Sequence, residues 1–268
     1  VFPSIGITDQ PFVSCKLPPV TPIDTRERVL YLSGSQIRIL LYVDDPALNF
    51  KDRYKILMKE LPSPVENPVF VGLDRYAQNY SKLNNLILVH QEGKQSKLSL
   101  YEFNTTDLHS GGIDMTDEFM LPSTPKQVFL GHINQDIQGD LVFEMEDHWL
   151  IWMGTHAGYA PADPHLVHKI PFPESSIETT QVLFQAMPGY PLILGIQNSD
   201  TILVALSGED EPDWQRPPVF VTTPGSSRPM RVFLCEFKNR NGTEFPIILL
   251  GDMPLYEVYA LFPQTIST

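Results

Sequence analysis

Leu121-Pro-Ser123, followed by Val128-Phe-Leu-Gly131, is the stretch of sequence on which the interpretation of this chain depends. It combines an apolar residue, a Pro with a Ser beside it, a few polar residues and a short β-branched and aromatic run; we call this combination the Pro-Ser motif. Related combinations end in the runs Phe12–Cys15, Val69–Gly72, Val182–Gln185 and Val232–Cys235. Aligned on the last residue of each run, the five copies are spaced 57, 59, 54 and 50 residues apart. A recurrence of this length predicts a repeat architecture.

Each period has room for three more strands after the run that ends the Pro-Ser motif. The predicted second strands are Arg28–Leu32, Asn85–Val89, Asp140–Glu144, Pro191–Gly195 and Pro246–Leu250. The predicted third strands are Ile37–Val43, Lys97–Tyr101, Trp149–Met153, Thr201–Ala205 and Glu257–Leu261. The 25 Pro residues fall where a long helix would otherwise run, so we expect an all-β chain.

Four strands per period is the pattern of a β-propeller blade. We therefore predict a single β-propeller domain over residues 1–268. Its five four-stranded blades would span approximately 12–66, 67–124, 125–178, 179–227 and 228–264. The fifth period has only three strands, and we expect residues 1–3 to close the ring by pairing Val1-Phe2 with the strand around Glu257–Leu261. The alternatives are a β-sandwich, two small β domains, or one part of a larger propeller.

The charge of the chain bears on its partners. With 19 basic and 32 acidic side chains the net charge is -13, which excludes a protein that neutralises nucleic-acid phosphates. No apolar run approaches the roughly 20 residues that cross a bilayer, so no membrane span is predicted. The acidic runs 114–118, 144–147 and 209–213 are interpreted as solvated loops that attract a basic protein partner. Trp214, just after the last run, is the candidate aromatic anchor for that partner.

Cysteines and sequons indicate the compartment. Two cysteines, Cys15 and Cys235, exclude a disulfide-rich scaffold. The closed ring would place them at equivalent positions on the inner strands of neighbouring blades, where a disulfide and two buried thiols are both compatible with the sequence. Asn79, Asn104 and Asn241 lie in Asn-x-Ser/Thr sequons and are candidate glycosylation sites. We expect an extracellular or secretory-lumen location.

The turn at 131–141 reads Gly-His-Ile-Asn-Gln-Asp-Ile-Gln-Gly-Asp-Leu and resembles the FG-GAP or VCBS-type repeat of integrin α-subunit and T-cell immunomodulatory protein-like propellers. In that family the carboxylates of this turn bind Ca²⁺. The ligands that the resemblance implies here are Asn134, Asp136 and Asp140. His132 replaces the first acid and Ile137 replaces the turn Gly, so the Ca²⁺ site is expected to be degenerate, and a structural turn held by side-chain hydrogen bonds is the alternative. No other cofactor is predicted.

The residues that follow the inner strands would line the mouth of the channel. They are Lys16, Leu73, His132, Ala186 and Glu236, and they differ in every copy, which disfavours the repeated sugar sites of a lectin. Asp74 and Glu236 are the candidate carboxylates of a five-bladed glycoside hydrolase, but no surrounding motif supports them. Nucleophile, phosphate-loop and dinucleotide motifs are absent from the sequence. We predict a non-catalytic protein-binding propeller, a subunit or ectodomain module of a larger assembly, with a hydrolase or lectin as the alternative.

The predicted strands determine on which faces two tryptophan and two histidine side chains should lie. Trp149 and Trp152 are three apart in one predicted strand, so they should face opposite sides, one in the core and one partly exposed. His165 and His168 have the spacing of a metal-binding pair on a helix, but their segment is interpreted as an outer strand, where they diverge. The segment 158–164 is predicted to be a loop that its prolines hold extended.

Overall fold

The fold is all-β, as predicted. The computed structural model describes residues 12–15, 28–42, 46–49, 53–74, 86–103, 112–131, 139–155, 158–172, 179–183, 192–196, 201–206, 219–222, 231–238, 244–252 and 255–260. Within these ranges the regular secondary structure consists of strands. None of these residues belongs to a helix of the length and hydrophobicity that crosses a bilayer.

The strands form successive antiparallel sheets, each built from strands that follow one another in the chain. The first sheet contains β1 (Phe12–Cys15), β2 (Arg28–Ser33), β3 (Gln36–Tyr42) and β4 (Tyr54–Glu60). The second contains β5 (Pro68–Leu73), β6 (Leu86–Glu92), β7 (Gln95–Phe103) and β8 (Ile113–Leu121). The third contains β9 (Gln127–Gly131), β10 (Asp140–Glu144), β11 (His148–Trp152) and, beyond the short pair β12 (Gly154–Thr155) and β13 (Gly158–Tyr159), strand β14 (Val167–Pro171).

The remaining strands continue the same order. The fourth sheet contains β15 (Thr179–Leu183), β16 (Leu192–Ile196), β17 (Thr201–Leu206) and β18 (Val219–Thr222). The fifth contains β19 (Arg231–Lys238), β20 (Glu244–Asp252) and β21 (Leu255–Ala260). The predicted first, second and third strands of every period are confirmed to within a few residues at each end. Val1-Phe2, the predicted closing strand, lies outside the described residues.

The chain divides into two compact units. Unit 1 comprises Val1–Leu130, Ile137–Gly139 and Gly154–Gly158, and unit 2 comprises Gly131–Asp136, Asp140–Met153 and Tyr159–Thr268. In unit 1 the first strands of successive sheets, β1 and β5, contact each other. In unit 2 the same is true of β15 and β19. The first and second sheets, and the fourth and fifth, therefore meet at their first strands.

The core of unit 1 lies between its first two sheets. Leu30 and Leu32 of β2 and Leu86 and Leu88 of β6 belong to one buried apolar cluster, so a face of each sheet packs against the other. The other members are Ile37, Ile39, Leu61, Val65, Val71, Leu73, Tyr101, Phe103 and Ile113. Every residue from Leu86 to Val89 is fully buried, so β6 is covered on both faces, which explains its uninterrupted apolar sequence.

The Pro-Ser motif forms the crossover between sheets. In the crossover after β4, Leu61 and Val65 are buried and the residues between them are exposed; Leu121 and Pro125 repeat this burial pattern after β8. The Leu61 N–H donates to the Ser35 carbonyl oxygen at 2.8 Å, which ties the crossover to the β2–β3 hairpin. These two copies of the motif each place two buried side chains in a crossover, with exposed residues between them.

Both tryptophans of β11 are buried, so the prediction that one would be partly exposed is wrong. Trp149 Nε1 donates to Thr180 Oγ1 at 3.0 Å, and the Trp149 indole packs edge-to-face on the Phe172 ring at 5.0 Å. On the opposite face Trp152 packs edge-to-face on Phe143 at 5.4 Å and lies beside Tyr159. The two side chains do diverge, but both faces of β11 are covered.

Three other segments differ from their prediction. The acidic run 114–118 is part of strand β8 and not a loop, because an outer strand can keep charged side chains in solvent. In the run 144–147, Glu144 ends β10 and is buried. His165 precedes the outer strand β14, which holds His168 alone of the pair. The segment 158–164, predicted to run extended, ends in a turn, in which Asp163 Oδ1 accepts the His165 N–H at 2.9 Å.

Replacing Gly93 by Ala tests the β6–β7 hairpin. Gly93 has φ +62°, and an added Cβ would meet no atom within 4 Å, so the cost is purely conformational. We expect Gly93→Ala to lower the free energy of unfolding by about 1–2 kcal/mol in urea denaturation. Gly112→Ala is the matched control, since the backbone there is not left-handed and the nearest atom would be 3.9 Å away. Equal stability of the two variants would contradict this assignment of the turn.

Candidate functional site

Strand β8 carries an exposed surface of acidic and methionine side chains, which we call the β8 surface. It consists of Asp114, Met115, Asp117 and Met120. Met115 and Met120 are 46% and 49% exposed. Within the described residues the second sheet ends at β8, so these side chains lie at the outer margin of unit 1. Met115 and Met120 pair with Tyr101 and Lys97, whereas Asp117 and Asp114 pair with Leu100 and Glu102, so the methionines lie on one face of the strand and the two carboxylates on the other. A partner with basic and apolar groups would contact both faces of this outer strand.

Strand β4 is the corresponding outer strand of the first sheet. Its exposed apolar side chains are Ile56 and Met58. Among the side chains of unit 1 whose burial the structure describes, these two and the two methionines of β8 are the large apolar ones that stay exposed. All four lie on outer strands of their sheets.

A polar network lies beside the apolar core on the second sheet. His90 Nε2 is 2.9 Å from Ser99 Oγ, and Ser99 Oγ donates to Glu118 Oε2 at 3.4 Å. Lys97 Nζ lies 2.8 Å from Glu118 Oε1 and also pairs with Glu92. Strands β6, β7 and β8 bring these residues together through their register, which aligns His90 with Lys97 and Ser99 with Glu118.

The hydrogen bonds of this network fix its protonation. Since Ser99 donates its single hydroxyl proton to Glu118, His90 must donate through Nε2, and its Nδ1 is left buried without a partner. Burial lowers the pKa of His90, against the opposing field of Glu118. The side-chain hydrogen bonds to Glu118 and Glu92 raise the pKa of Lys97, so at neutral pH the network holds a neutral imidazole and a charged ammonium.

A serine within hydrogen-bond reach of a histidine also describes a nucleophile with its base. Here the acidic group contacts Ser99 and not the second ring nitrogen of His90, as an orienting carboxylate would. Ser99 is fully buried, so the arrangement is that of a buried structural network. Sequence reasoning missed it because the contacts depend on strand register; the only signal was polar residues inside the apolar strands β6 and β7.

Asp74, a candidate hydrolase carboxylate, has a structural contact. Its side chain is only 2% exposed, and its Oδ2 accepts a hydrogen bond from the Gly139 N–H. A Cβ on Gly139 would lie 2.7 Å from Leu130 Cδ1 and 2.8 Å from Asp74 Oδ2, so glycine is needed for this close approach. The carboxylate thus holds the backbone just before β10. Glu236 lies in β19 of unit 2.

The Ca²⁺ ligands implied by the turn at 131–141 are described only in part. Asp140 is fully buried at the start of β10, whereas Asn134 and Asp136 lie outside the described residues. Among the residues that are described, no group of three or more His, Cys, Asp or Glu side chains is placed to hold a metal ion.

The other predicted site residues divide by position. Cys15 ends β1 and Cys235 lies in β19, so both are in the first strand of their sheet, as predicted. Outside the described residues lie Asn79, Asn104, Asn241 and Trp214, together with Lys16, His132 and Ala186.

No protein-family model fits this chain, and no curated protein is similar to it.

Removing the Asp74 carboxylate tests its structural role. Asp74→Ala removes the hydrogen bond between the Asp74 carboxylate and the buried Gly139 N–H, and we expect the free energy of unfolding to fall by about 1–3 kcal/mol in urea denaturation. Asp74→Asn keeps an oxygen acceptor of the same size and should lose less. Unchanged stability of Asp74→Ala would show that the hydrogen bond does not hold this turn.

The lowered pKa of His90 predicts that acid destabilises the folded protein. The unfolded chain binds this proton near the ordinary pKa of 6.5, and the folded chain only at lower pH, so the free energy of unfolding decreases as the pH falls below about 6.5. Burial also lowers the pKa of His168, which adds an effect of the same sign. His90→Gln keeps a donor toward Ser99 but cannot titrate. In this variant the urea concentration at the midpoint of unfolding should decrease less between pH 7 and pH 5 than it does in the native protein. His168→Gln is the control for the second contribution, and an unchanged pH dependence in His90→Gln would contradict the prediction.

Proposed function

We propose that this protein is a non-catalytic, protein-binding β-propeller that acts as a subunit or ectodomain module of a larger extracellular or secretory-pathway assembly. Five sequence periods and five successive antiparallel sheets support the propeller. So do the repeated burial pattern of the crossovers at Leu61 and Leu121 and the equivalent hairpin glycines Gly34 and Gly93, both with positive φ. The contacts of β1 with β5 and of β15 with β19 are of the kind that inner strands around an axis would make, and they also support the proposal.

The resemblance of the turn at 131–141 to FG-GAP or VCBS-type repeats places this proposal among degenerate members of that group. The Ca²⁺ ligands Asn134, Asp136 and Asp140, the sequons at Asn79, Asn104 and Asn241, the Cys15–Cys235 pair and the anchor Trp214 belong to the proposal as sequence expectations. Ring closure by residues 1–3 belongs to it as well.

The observation that carries the binding function is the β8 surface. It exposes two methionines on one face of an outer strand and two carboxylates on the other face, on a chain with net charge -13. Exposed methionines are costly to keep in water and adapt their shape to a partner, and the carboxylates exclude acidic partners. The partner that fits is a protein segment with Lys or Arg side chains flanking apolar ones.

The hydrolase alternative gains nothing from Asp74, whose carboxylate is buried and bonded to backbone. Glycoside hydrolysis needs two carboxylates that reach the scissile bond.

The β8 surface is tested with a labelled, blocked peptide of alternating Lys and Leu residues in a fluorescence anisotropy titration. The doubly neutralised variant Asp114→Asn/Asp117→Asn should bind roughly two- to tenfold more weakly, and the weakening should shrink at high salt. Met115→Ser/Met120→Ser should weaken binding at all salt concentrations because it removes apolar contacts. Glu66→Gln/Glu146→Gln removes two exposed acids elsewhere and is the matched control. Equal affinities of the β8 and control variants would refute this surface as the binding site.

A further inference from the structure

The first and second sheets carry the same four-residue row at equivalent positions. Cross-strand pairing defines one row in the first sheet, which we call the Arg38 row: Phe12, Tyr31, Arg38 and Met58. The second sheet has the matching Lys97 row: Pro68, His90, Lys97 and Met120. In each row a buried side chain that can donate a hydrogen bond is followed by a cation on the third strand and an exposed methionine on the outer strand.

The second sheet supplies its own carboxylates to the cation of its row. Glu118, two residues before Met120, lies 2.8 Å from Lys97 Nζ, and Glu92, at the β6–β7 hairpin, pairs with the same ammonium. The charge of Lys97 is therefore neutralised within the sheet.

The first sheet lacks both of these carboxylates. Ile56 stands two residues before Met58, where the second sheet has Glu118, and Ser33 stands at the hairpin, where it has Glu92. Glu60, the acid at the end of β4, is engaged by Gln36 Nε2 at 2.5 Å and by the Ser35 hydroxyl. Its two oxygens are occupied by uncharged donors.

Arg38 and Tyr31 consequently keep donors without acceptors. The Arg38 guanidinium donates through Nη2 to Gln36 Oε1 at 3.3 Å, and its Nε is buried with no partner. The Tyr31 hydroxyl, on a side chain only 2% exposed, is also buried with no partner. Buried polar groups are nearly always hydrogen-bonded. In the Lys97 row one atom, His90 Nδ1, is buried without a partner, but in the Arg38 row two donors are unpaired side by side, which indicates a missing acceptor.

Exposure along the row shows from which side an acceptor can approach. Met58 is 56% exposed, Arg38 is partly buried and Tyr31 is buried. Ile56 lies on the same face as Met58, since alternate residues of a strand share a face. A ligand would therefore meet exposed apolar side chains first and the two donors behind them.

We propose that Tyr31 and Arg38 form a binding site for a carboxylate attached to an apolar group. A carboxylate has two acceptor oxygens, which match a guanidinium N–H and a phenolic O–H, and its charge neutralises Arg38 as Glu118 neutralises Lys97. Ile56 and Met58 contact the apolar part of the ligand. The site is separate from the acidic β8 surface and takes a ligand of opposite charge.

The test is isothermal titration of the full chain with sodium hexanoate as the probe. Arg38→Gln should weaken hexanoate binding at least about tenfold, and Tyr31→Phe by a few-fold. Lys94→Gln removes an exposed cation from the β6–β7 hairpin and should leave the affinity unchanged. 1-Hexanol and inorganic phosphate should bind more weakly than hexanoate; equal binding of phosphate would overturn the assignment to an apolar carboxylate. A blocked Leu-Glu-Leu peptide that displaces hexanoate would show that the carboxylate can be carried by a protein.

Two variants also test the site through the melting temperature of the free protein. Tyr31→Phe should raise the melting temperature of the free protein, because it removes an unpaired buried hydroxyl. If the Tyr31 hydroxyl had a partner in the chain, the same substitution would lower the melting temperature. Ile56→Glu places a carboxylate where the second sheet has Glu118, and should raise the melting temperature and abolish hexanoate binding. Absence of saturable hexanoate binding to the native protein, or equal binding to Arg38→Gln, would overturn the proposal.

Discussion

A strand that is apolar on both faces must be covered on both faces, and this requirement governs the structure. In β6 the residues from Leu86 to Val89 exclude water completely, and the same holds for Leu141, Val142 and Phe143 of β10. Such strands cannot occupy a sheet with one solvated face, so sheets stack on one another and charged residues collect on the outer strands. The crossovers complete each stack with buried residues such as Leu61 and Leu121.

Buried polar groups between these sheets are stabilised by hydrogen bonds to specific partners. His90 Nε2 bonds to Ser99, Trp149 Nε1 to Thr180 and the Asp74 carboxylate to the Gly139 backbone, so these atoms avoid the cost of an unpaired buried group, whereas His90 Nδ1 does not. The first and second sheets differ at two positions of this region, where Ile56 and Ser33 stand in place of Glu118 and Glu92. In the first sheet the Arg38 Nε and the Tyr31 hydroxyl have no acceptor, whereas in the second sheet Lys97 is paired with both carboxylates.

Much of the fold was predictable because strands in stacked sheets appear in sequence as short apolar runs at a regular period. The five successive sheets follow those runs closely. Contacts that depend on register were not predictable: the pairing of His90 with Ser99 requires knowing that Lys97 faces His90 across the hairpin. The contact between Asp74 and Gly139 joins residues 65 positions apart, which no periodic pattern reveals.

Composition misled the interpretation where charge was equated with a loop. The run 114–118 is acidic because β8 is an outer strand, and a strand with one open side tolerates carboxylates that an inner strand would not. Alternation gave the correct opposite faces for Trp149 and Trp152, but it carries no information on whether a face is covered. Periodicity therefore determined where strands lie, and only packing determined which side chains remain available for binding.

The order of strands within each sheet has a consequence for biosynthesis. Because each strand pairs with one close to it in the chain, most pairing contacts have low sequence separation, and the entropy lost in closing the intervening loops is small. A sheet can assemble as soon as its last strand leaves the ribosome, and the next sheet can use its exposed face as a template. We expect the first and second sheets to be folded while the C-terminal strands are still being synthesised.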